Sequence, residues 1–200
     1  MELFKEDPTQ NLLPFDGEVY YFGTIMSAGE ASNWLKILSE KTEWKHDELI
    51  MFGKKIITSR EVAMYANDDY QYTYSKQTKE AKKWFPELVD LKQIVEHHTQ
   101  KTFNSCLLNL YHNGKESMGW HSDDESDLEH NDHIASLSFG AERKFNFRHK
   151  TTKKKIELHL AHGSLLLMKG TIQTYWQHQL PVMAKVTEPR INLTFRNLKY

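Results

Sequence analysis

Residues 119–125, GWHSDDE, set an imidazole and a carboxylate one residue apart, His121 and Asp123, and add two more acids. In an extended chain, side chains two apart share a face. Stacked carboxylates repel one another unless a positive charge lies among them, and a divalent metal ion would supply it. A His-x-Asp pair with one distant histidine forms a facial set of two imidazoles and one carboxylate. That set leaves adjacent positions open and suits non-haem Fe(II). The chain has 11 histidines, so the third ligand has to be chosen. His178, in YWQHQLP, is the preferred candidate, with His159 and His162 as rivals. His162 adjoins Gly163 in an expected turn, where structural roles are common. The plain alternative for HSDDE is an acidic surface loop.

A second cluster lies near the end of the chain. In RINLTFR, Ile191, Leu193 and Phe195 point one way, while Arg190, Asn192, Thr194 and Arg196 point the other. Asn109 and Tyr111 likewise share a face in LNLY. A guanidinium inside a barrel is costly unless paired. A dicarboxylate would pair it, one end chelating iron through a 2-oxo acid and the other taking a bidentate arginine. The alternative is that both arginines pair with acids such as Asp123 or Glu125.

These residues need elements to hold them. From residue 103 onward the pattern is strand after strand: FNSCLLNLY, HIASLSFG, KFNFRHK, KIELHLA, GSLLLMKG, TYWQHQLPV and RINLTFRNL. Gly, Asn and Pro punctuate them, which predicts an antiparallel sandwich or barrel. Two helices precede them. One spans 27–41, where Ser27 and Glu30 have capping-box spacing and Ala31, Trp34, Leu35 and Leu38 form a stripe. The other runs from about Pro86 to Thr99, with Leu88, Leu91, Ile94 and Val95 facing inward. Residues 50–75 read as two or three short strands with mobile connections.

Length and composition fit a single domain over 1–200 with a real core: hydrophobic residues make up 39% of the chain, too many for disorder. The lone Cys106 excludes an internal disulfide and a cysteine-based zinc site, and reads as a core thiol. Neither a secretory signal nor a run long enough to span a membrane is visible, so a soluble protein of a reducing compartment is expected. The net charge of −1 hides two patches. Residues 123–132 hold six acids and no Lys or Arg; residues 143–155 hold seven Lys or Arg and no acid. The basic run is either a solvated hairpin or a phosphate-backbone contact.

Taken in order, NLY (109–111), HSDDE (121–125), SLSFGAERKFNFRHK (136–150), AHGSLLLMKG (161–170), WQHQLP (176–181) and PRINLTFR (189–196) resemble the AlkB-type 2-oxoglutarate/Fe(II) dioxygenases, which repair alkylated nucleic-acid bases. MFGKKIITSREVAMY and YTYS in the first half look most like the DNA-acting, duplex-capable branch. The resemblance implies an α+β, mainly β fold. Its double-stranded β-helix (jelly-roll) core would occupy about 101–200, with N-terminal helices and a nucleotide-recognition lid over about 1–100. It implies Fe(II), 2-oxoglutarate and O2 as cofactors, with His121, Asp123 and His178 on the iron, which favours His178 over its rivals. Asn109, Tyr111, Arg190, Asn192, Thr194 and Arg196 would surround 2-oxoglutarate, Arg190 taking the distal carboxylate. Arg60, Tyr72, Tyr74 and Ser75 would lie near the substrate. Asp124 would contact the exocyclic group of the target base, and Phe52 would fill the gap a flipped base leaves.

The residue chemistry agrees with these roles. A methylated base must leave the duplex stack to reach a buried iron, at a cost of roughly a few kcal/mol. An apolar wedge offsets lost stacking, and tyrosines stack on an extruded base for roughly 1–3 kcal/mol. The expected reaction is oxidative dealkylation of 1-methyladenine and 3-methylcytosine in DNA, with RNA a further polymer, by a monomer in the cytoplasm (nucleoid-associated) or nucleus. The first rival is a 2-oxoglutarate/Fe(II) hydroxylase of a protein or small molecule, which has no use for Phe52, the tyrosines or the basic run. The second is a catalytically silent nucleic-acid-binding module, which has no need of His121, Asp123 or His178.

Overall fold

A computed structural model describes residues 7–51, 54–67, 71–74, 77–130 and 132–199, without the side chains of 47–56 and 71–80. The first half contains β1 (Glu18–Thr24), α1 (Ala28–Lys41), β2 (Lys45–Met51), β3 (Lys54–Ala66), β4 (Gln71–Tyr74), β5 (Gln77–Glu80), β6 (Lys82–Lys83) and α2 (Pro86–Thr99). The second contains β7 (Ser105–Tyr111), β8 (Met118–His121), β9 (Ile134–Gly140), β10 (Arg143–His149), β11 (Lys155–Leu160) and β12 (Ser164–Lys169). The short α3 (Ile172–Tyr175) leads into β13 (Trp176–Leu180), and β14 (Arg190–Arg196) follows.

Two sheets face each other. The larger runs β1-β12-β9-β14-β7-β3-β2, with β6 attached to β3; the smaller runs β11-β10-β13-β8. All pairings are antiparallel except β3 with β6. This is the mainly β architecture of a jelly roll. All seven strands expected after residue 103 form, and β8 is added to them.

The helices form as the sequence dictates. Ser27 Oγ accepts from the Glu30 amide, and the Glu30 carboxylate accepts from the Ser27 amide at 2.9 Å, a closed capping box. Pro86 opens α2, where its missing N–H costs nothing. Both helices pack on the outer face of the large sheet. Ala31, Leu38, Leu88, Leu91 and Val95 meet Cys106, Leu108, Leu137, Leu165, Leu193 and Phe195 in one buried cluster. A second cluster fills the space between the sheets, with Val19, Leu166 and Met168 from one and Phe147, Leu160 and Trp176 from the other.

The central strands are therefore buried on both faces. Odd-numbered residues of β14 face the helices, and even-numbered ones face the small sheet. That is why its polar residues sit inside the protein.

The region 50–75 departs from the expected short strands. β3 is 13 residues long and joins the large sheet beside β7, its Glu61–Ala66 half pairing with Leu110 to Ser105 and its first half with β2. β1, which no sequence signal singled out, is fixed by pairing with β12. The loop before β8 and the loop after β13 are stitched together. Gly114 N–H donates to Val186 O and Met183 N–H to Gly114 O, both at 2.8 Å. A Cβ at Gly114 would stand 2.0 Å from Met183 O, so only glycine fits there.

Candidate active site

His121 ends β8 and His178 lies at the middle of β13, paired directly across the strands. Their rings approach to 4.2 Å between centroids. Asp123 follows two residues after His121. Its Oδ1 lies 3.6 Å from His121 Nε2 and 3.8 Å from His178 Nε2. Ligand-capable atoms of all three lie within 4.8 Å of one another. His121 Nδ1 donates to the Gly119 carbonyl at 2.8 Å, which leaves the Nε2 lone pair facing Asp123. The Asp123 amide donates to Gln173 Oε1 and Ser122 Oγ donates to Trp176 O, so the turn after β8 is held against β13.

The electrostatics suit a cation. Burial alone would raise the Asp123 carboxyl, but His178, Arg196 and His121 together hold it below its ordinary value. Among the described residues no hydrogen bond reaches that carboxylate. Burial pushes the His178 imidazole down to about 4, with His121 adding to the shift. The site thus presents two imidazoles, that of His178 neutral at neutral pH, and one ionised carboxylate oxygen, the donor set of a facial-triad iron site.

The same shift predicts a pH dependence. In the unfolded chain His178 takes up a proton near 6.5; in the folded chain it stays neutral to about 4. Between these values the unfolded form binds more protons, so acid favours unfolding. The metal-free protein is expected to lose on the order of 3 kcal/mol from this group as pH falls from above 6.5 to below 4. Urea unfolding across that range should show a shallower decline in His178→Gln than in the parent.

The residues line a cavity of about 180 Å³ between the sheets. The wall opposite the histidines is built by β7 and β14, with Asn109 and Tyr111 beside Arg190, Asn192, Thr194 and Arg196. The two arginines differ. Arg196 Nη1 stands 3.5 Å from Glu125 Oε1, whose carboxyl burial pushes up. Arg190 has no carboxylate partner among the described residues. Its Nη2 donates to Ser138 Oγ at 2.9 Å and Asn192 Oδ1 at 2.7 Å, while Nε has no partner. Burial pushes Arg190 down to about 10. Asn192 is fixed in turn by Ser136 Oγ and Thr194 Oγ1, both at 2.8 Å, and the buried Asn109 Oδ1 is also unsatisfied. The cavity thus holds a buried cation without a carboxylate partner among the described residues, and a small anionic ligand supplies what it lacks.

Other expected residues fall into three groups. Arg60 and Asp124 line the cavity, Arg60 donating to Met118 Sδ at 3.1 Å. Tyr72 and Tyr74 lie on β4, paired with β5, and their side chains are outside the described residues. Phe52 and Ser75 lie wholly outside them.

The rival histidines stand elsewhere. His159 is half-exposed and pairs with Glu142. His162 Nδ1 accepts from the Gly140 amide, a structural bond. The basic run is not one patch either. Lys153, Lys154 and Lys155 are exposed, but Arg143 is fully buried. Sequence reasoning assigned no role to Ser136, Ser138, Gln173 or Phe145, and counted Arg143 only as part of the basic run. The period-two alternation of ASLSFG was the available signal for the two serines.

A profile of the 2OG-Fe(II) oxygenase superfamily matches residues 18–196, and the chain belongs to that superfamily. Its cofactors are Fe(II), 2-oxoglutarate and O2. Within the superfamily it is similar to the DNA oxidative demethylase ALKBH2 of Homo sapiens, at 38% identity over 188 residues, covering 88% of this chain and 72% of the relative. Identity to the Bos taurus ALKBH2 is 43% over 185 residues, covering 87% and 66%. To the human alpha-ketoglutarate-dependent dioxygenase alkB homolog 3 it is 41% over 179 residues, covering 84% and 62%. The chain therefore spans roughly two thirds of the length of these curated relatives. The solved structure of OsALKBH1 superposes with a TM-score of 0.62 at 15% identity, covering 89% of this chain and 97% of that one, which shows the shared fold. Among the described residues no helix is long and apolar enough to cross a membrane.

Proposed function

We propose that the protein removes alkyl groups oxidatively from DNA bases, with 1-methyladenine and 3-methylcytosine as its lesions. One observation carries the reading. A single cavity joins the His121–Asp123–His178 cluster to a buried arginine that lacks a carboxylate, in a chain similar to proteins named DNA oxidative demethylases.

In this reading His121, Asp123 and His178 hold Fe(II). The bound iron, 2-oxoglutarate and O2 supply the oxidising power: decarboxylation to succinate and CO2 is coupled to hydroxylation of the N-alkyl carbon, and formaldehyde leaves the restored base. The protein's part is to bind, orient and exclude water. Arg190 pairs with the distal carboxylate of 2-oxoglutarate, backed by Ser138 and Asn192. Asn109 and Tyr111 border the co-substrate on one side, and Thr194 and Arg196 on the other.

The N-terminal half supplies the nucleotide-recognition lid of a single catalytic unit. Phe52 enters the stack where the target base leaves it. Tyr72, Tyr74 and Ser75 hold the extruded base, Arg60 lies beside it at the cavity wall, and Asp124 receives its exocyclic amino group. The exposed lysines 153–155 lie where the chain enters β11, and can follow a phosphate backbone. The protein in this reading is a monomer that works where DNA is held, in the nucleoid or nucleus. Single-stranded RNA presents the same base edge to such a pocket and is the second polymer proposed.

The test is incubation with Fe(II), ascorbate, 2-oxoglutarate and oligonucleotides carrying 1-methyladenine or 3-methylcytosine, followed by weighing the products. Loss of one methylene mass is expected, and comparison of single with double strands ranks the substrates. Unchanged oligonucleotides alongside continued succinate release would instead favour the protein or small-molecule hydroxylase.

A further inference from the structure

Arg143 is the fully buried basic residue of β10 that no sequence argument placed in the site. It makes no salt bridge among the described residues. Three backbone carbonyls hold it instead. Nη1 donates to Asn113 O at 3.3 Å, and Nη2 to Glu116 O at 2.8 Å and Pro181 O at 2.9 Å. These carbonyls belong to the stitched loops that enter β8 and leave β13. A guanidinium held so is hindered from swinging, because its fork is planar and three bonds from its two Nη atoms tie it to both loops, while Nε has no partner.

Tyr111 lies against it. The Arg143 Cζ is 5.9 Å from the Tyr111 ring centroid, and the Arg190 Cζ is 5.7 Å from the same centroid. Tyr111 is 4% exposed and lines the cavity. The ring is thus in contact with two buried cations. One is anchored to the loops, and the other faces the cavity with no acid partner. Cation–π attraction is stronger in a desolvated setting than at an exposed site, which helps to fix the ring. Two guanidiniums this close also make the end of the cavity strongly positive, a poor place for a neutral ligand and a good one for a carboxylate.

We propose that Arg143 is a positioning residue of the co-substrate subsite: anchored by the two loops, it holds Tyr111 against Arg190 and biases that end of the cavity toward a dicarboxylate. This rests on the reading of Arg190 as the 2-oxoglutarate partner. The metal cluster should feel Arg143 little, since His121 and His178 are paired directly across β8 and β13.

The experiment measures two affinities of the full chain, Mn(II) alone by magnetic resonance and 2-oxoglutarate on the Mn(II)-loaded protein by calorimetry. Arg143→Gln is expected to weaken 2-oxoglutarate about tenfold, one and a half kcal/mol or so of lost attraction, and to leave Mn(II) affinity nearly unchanged. Arg143→Lys, which restores the charge without the fork, recovers part of the loss. In a Tyr111→Phe background, Arg143→Gln is still expected to act, because the phenylalanine ring keeps the cation–π face. In a Tyr111→Leu background its effect should shrink markedly, as a shared contact requires. Equal losses of Mn(II) and 2-oxoglutarate affinity, or full additivity with Tyr111→Leu, would reduce Arg143 to a structural arginine and overturn the proposal. If Arg143→Gln fails to fold, the Lys variant alone decides between these outcomes. Failure of the parent protein to bind 2-oxoglutarate would instead strike the reading of Arg190 itself.

Discussion

Asp123→Ala abolishes turnover, lowering it by about three orders of magnitude or more, equivalent to roughly 4 kcal/mol or more on the barrier. The reason is specific to its place. The carboxylate is the negative member of the cluster, within 3.8 Å of both Nε2 atoms, and it has no hydrogen bond of its own among the described residues. Without it, two imidazoles are left beside Arg196, whose positive charge opposes a dication. The fold should not suffer. Burial works against the ionised carboxyl, so its removal relieves a desolvation cost in the metal-free protein. The expected pattern is an unchanged or slightly raised thermal midpoint without metal, and loss of the upward shift that Mn(II) gives the parent protein. A midpoint that falls sharply without metal would mean that Asp123 is a structural acid.

Arg190→Met raises the dissociation constant for 2-oxoglutarate by about a hundredfold or more, since truncating one partner of a buried charge pair costs about 2–5 kcal/mol. The methionine occupies much of the same space, and the bonds lost with the guanidinium are those to Ser138 and Asn192. Stability should change little, because Arg190 without its ligand is a buried cation with no carboxylate nearby among the described residues. Affinity for metal alone should hold. Steady-state kinetics should show a raised KM for 2-oxoglutarate and a kcat that recovers substantially at saturation. An unchanged KM would remove Arg190 from the co-substrate subsite. Arg196→Met tests the contrast: paired with Glu125, it leaves a buried carboxyl alone and is expected to disturb the neighbourhood of Asp123 more than 2-oxoglutarate binding.

The site was legible where alternation and burial coincide. RINLTFR carries its polar residues on one face because both faces of β14 are covered, one by helices and one by the cavity. A strand with water on one side would show the same alternation, so the arginines, which are costly inside, were the stronger signal. HSD was legible as a pair, and His178 was preferred as its third member and favoured further by the family resemblance. What excludes His159 and His162 outright is that β13 lies beside β8, a non-local pairing that local spacing does not encode. The same limit hid β1, whose partner β12 is more than a hundred residues away, and the length of β3, which is set by pairing with β2 along one part and β7 along another. Arg143 was misread for a related reason. It opens a run of exposed lysines and shares their charge but not their surroundings, since the carbonyls that take it inside come from two distant loops.

The most direct measurement is the yield of succinate against formaldehyde with a 1-methyladenine oligonucleotide and with its unmethylated twin. The account predicts that the two products rise together, close to one for one, with the methylated strand, and that both fall to background with the twin. Succinate released equally with either strand, and no formaldehyde with the methylated one, would contradict the claim that this cavity acts on alkylated DNA.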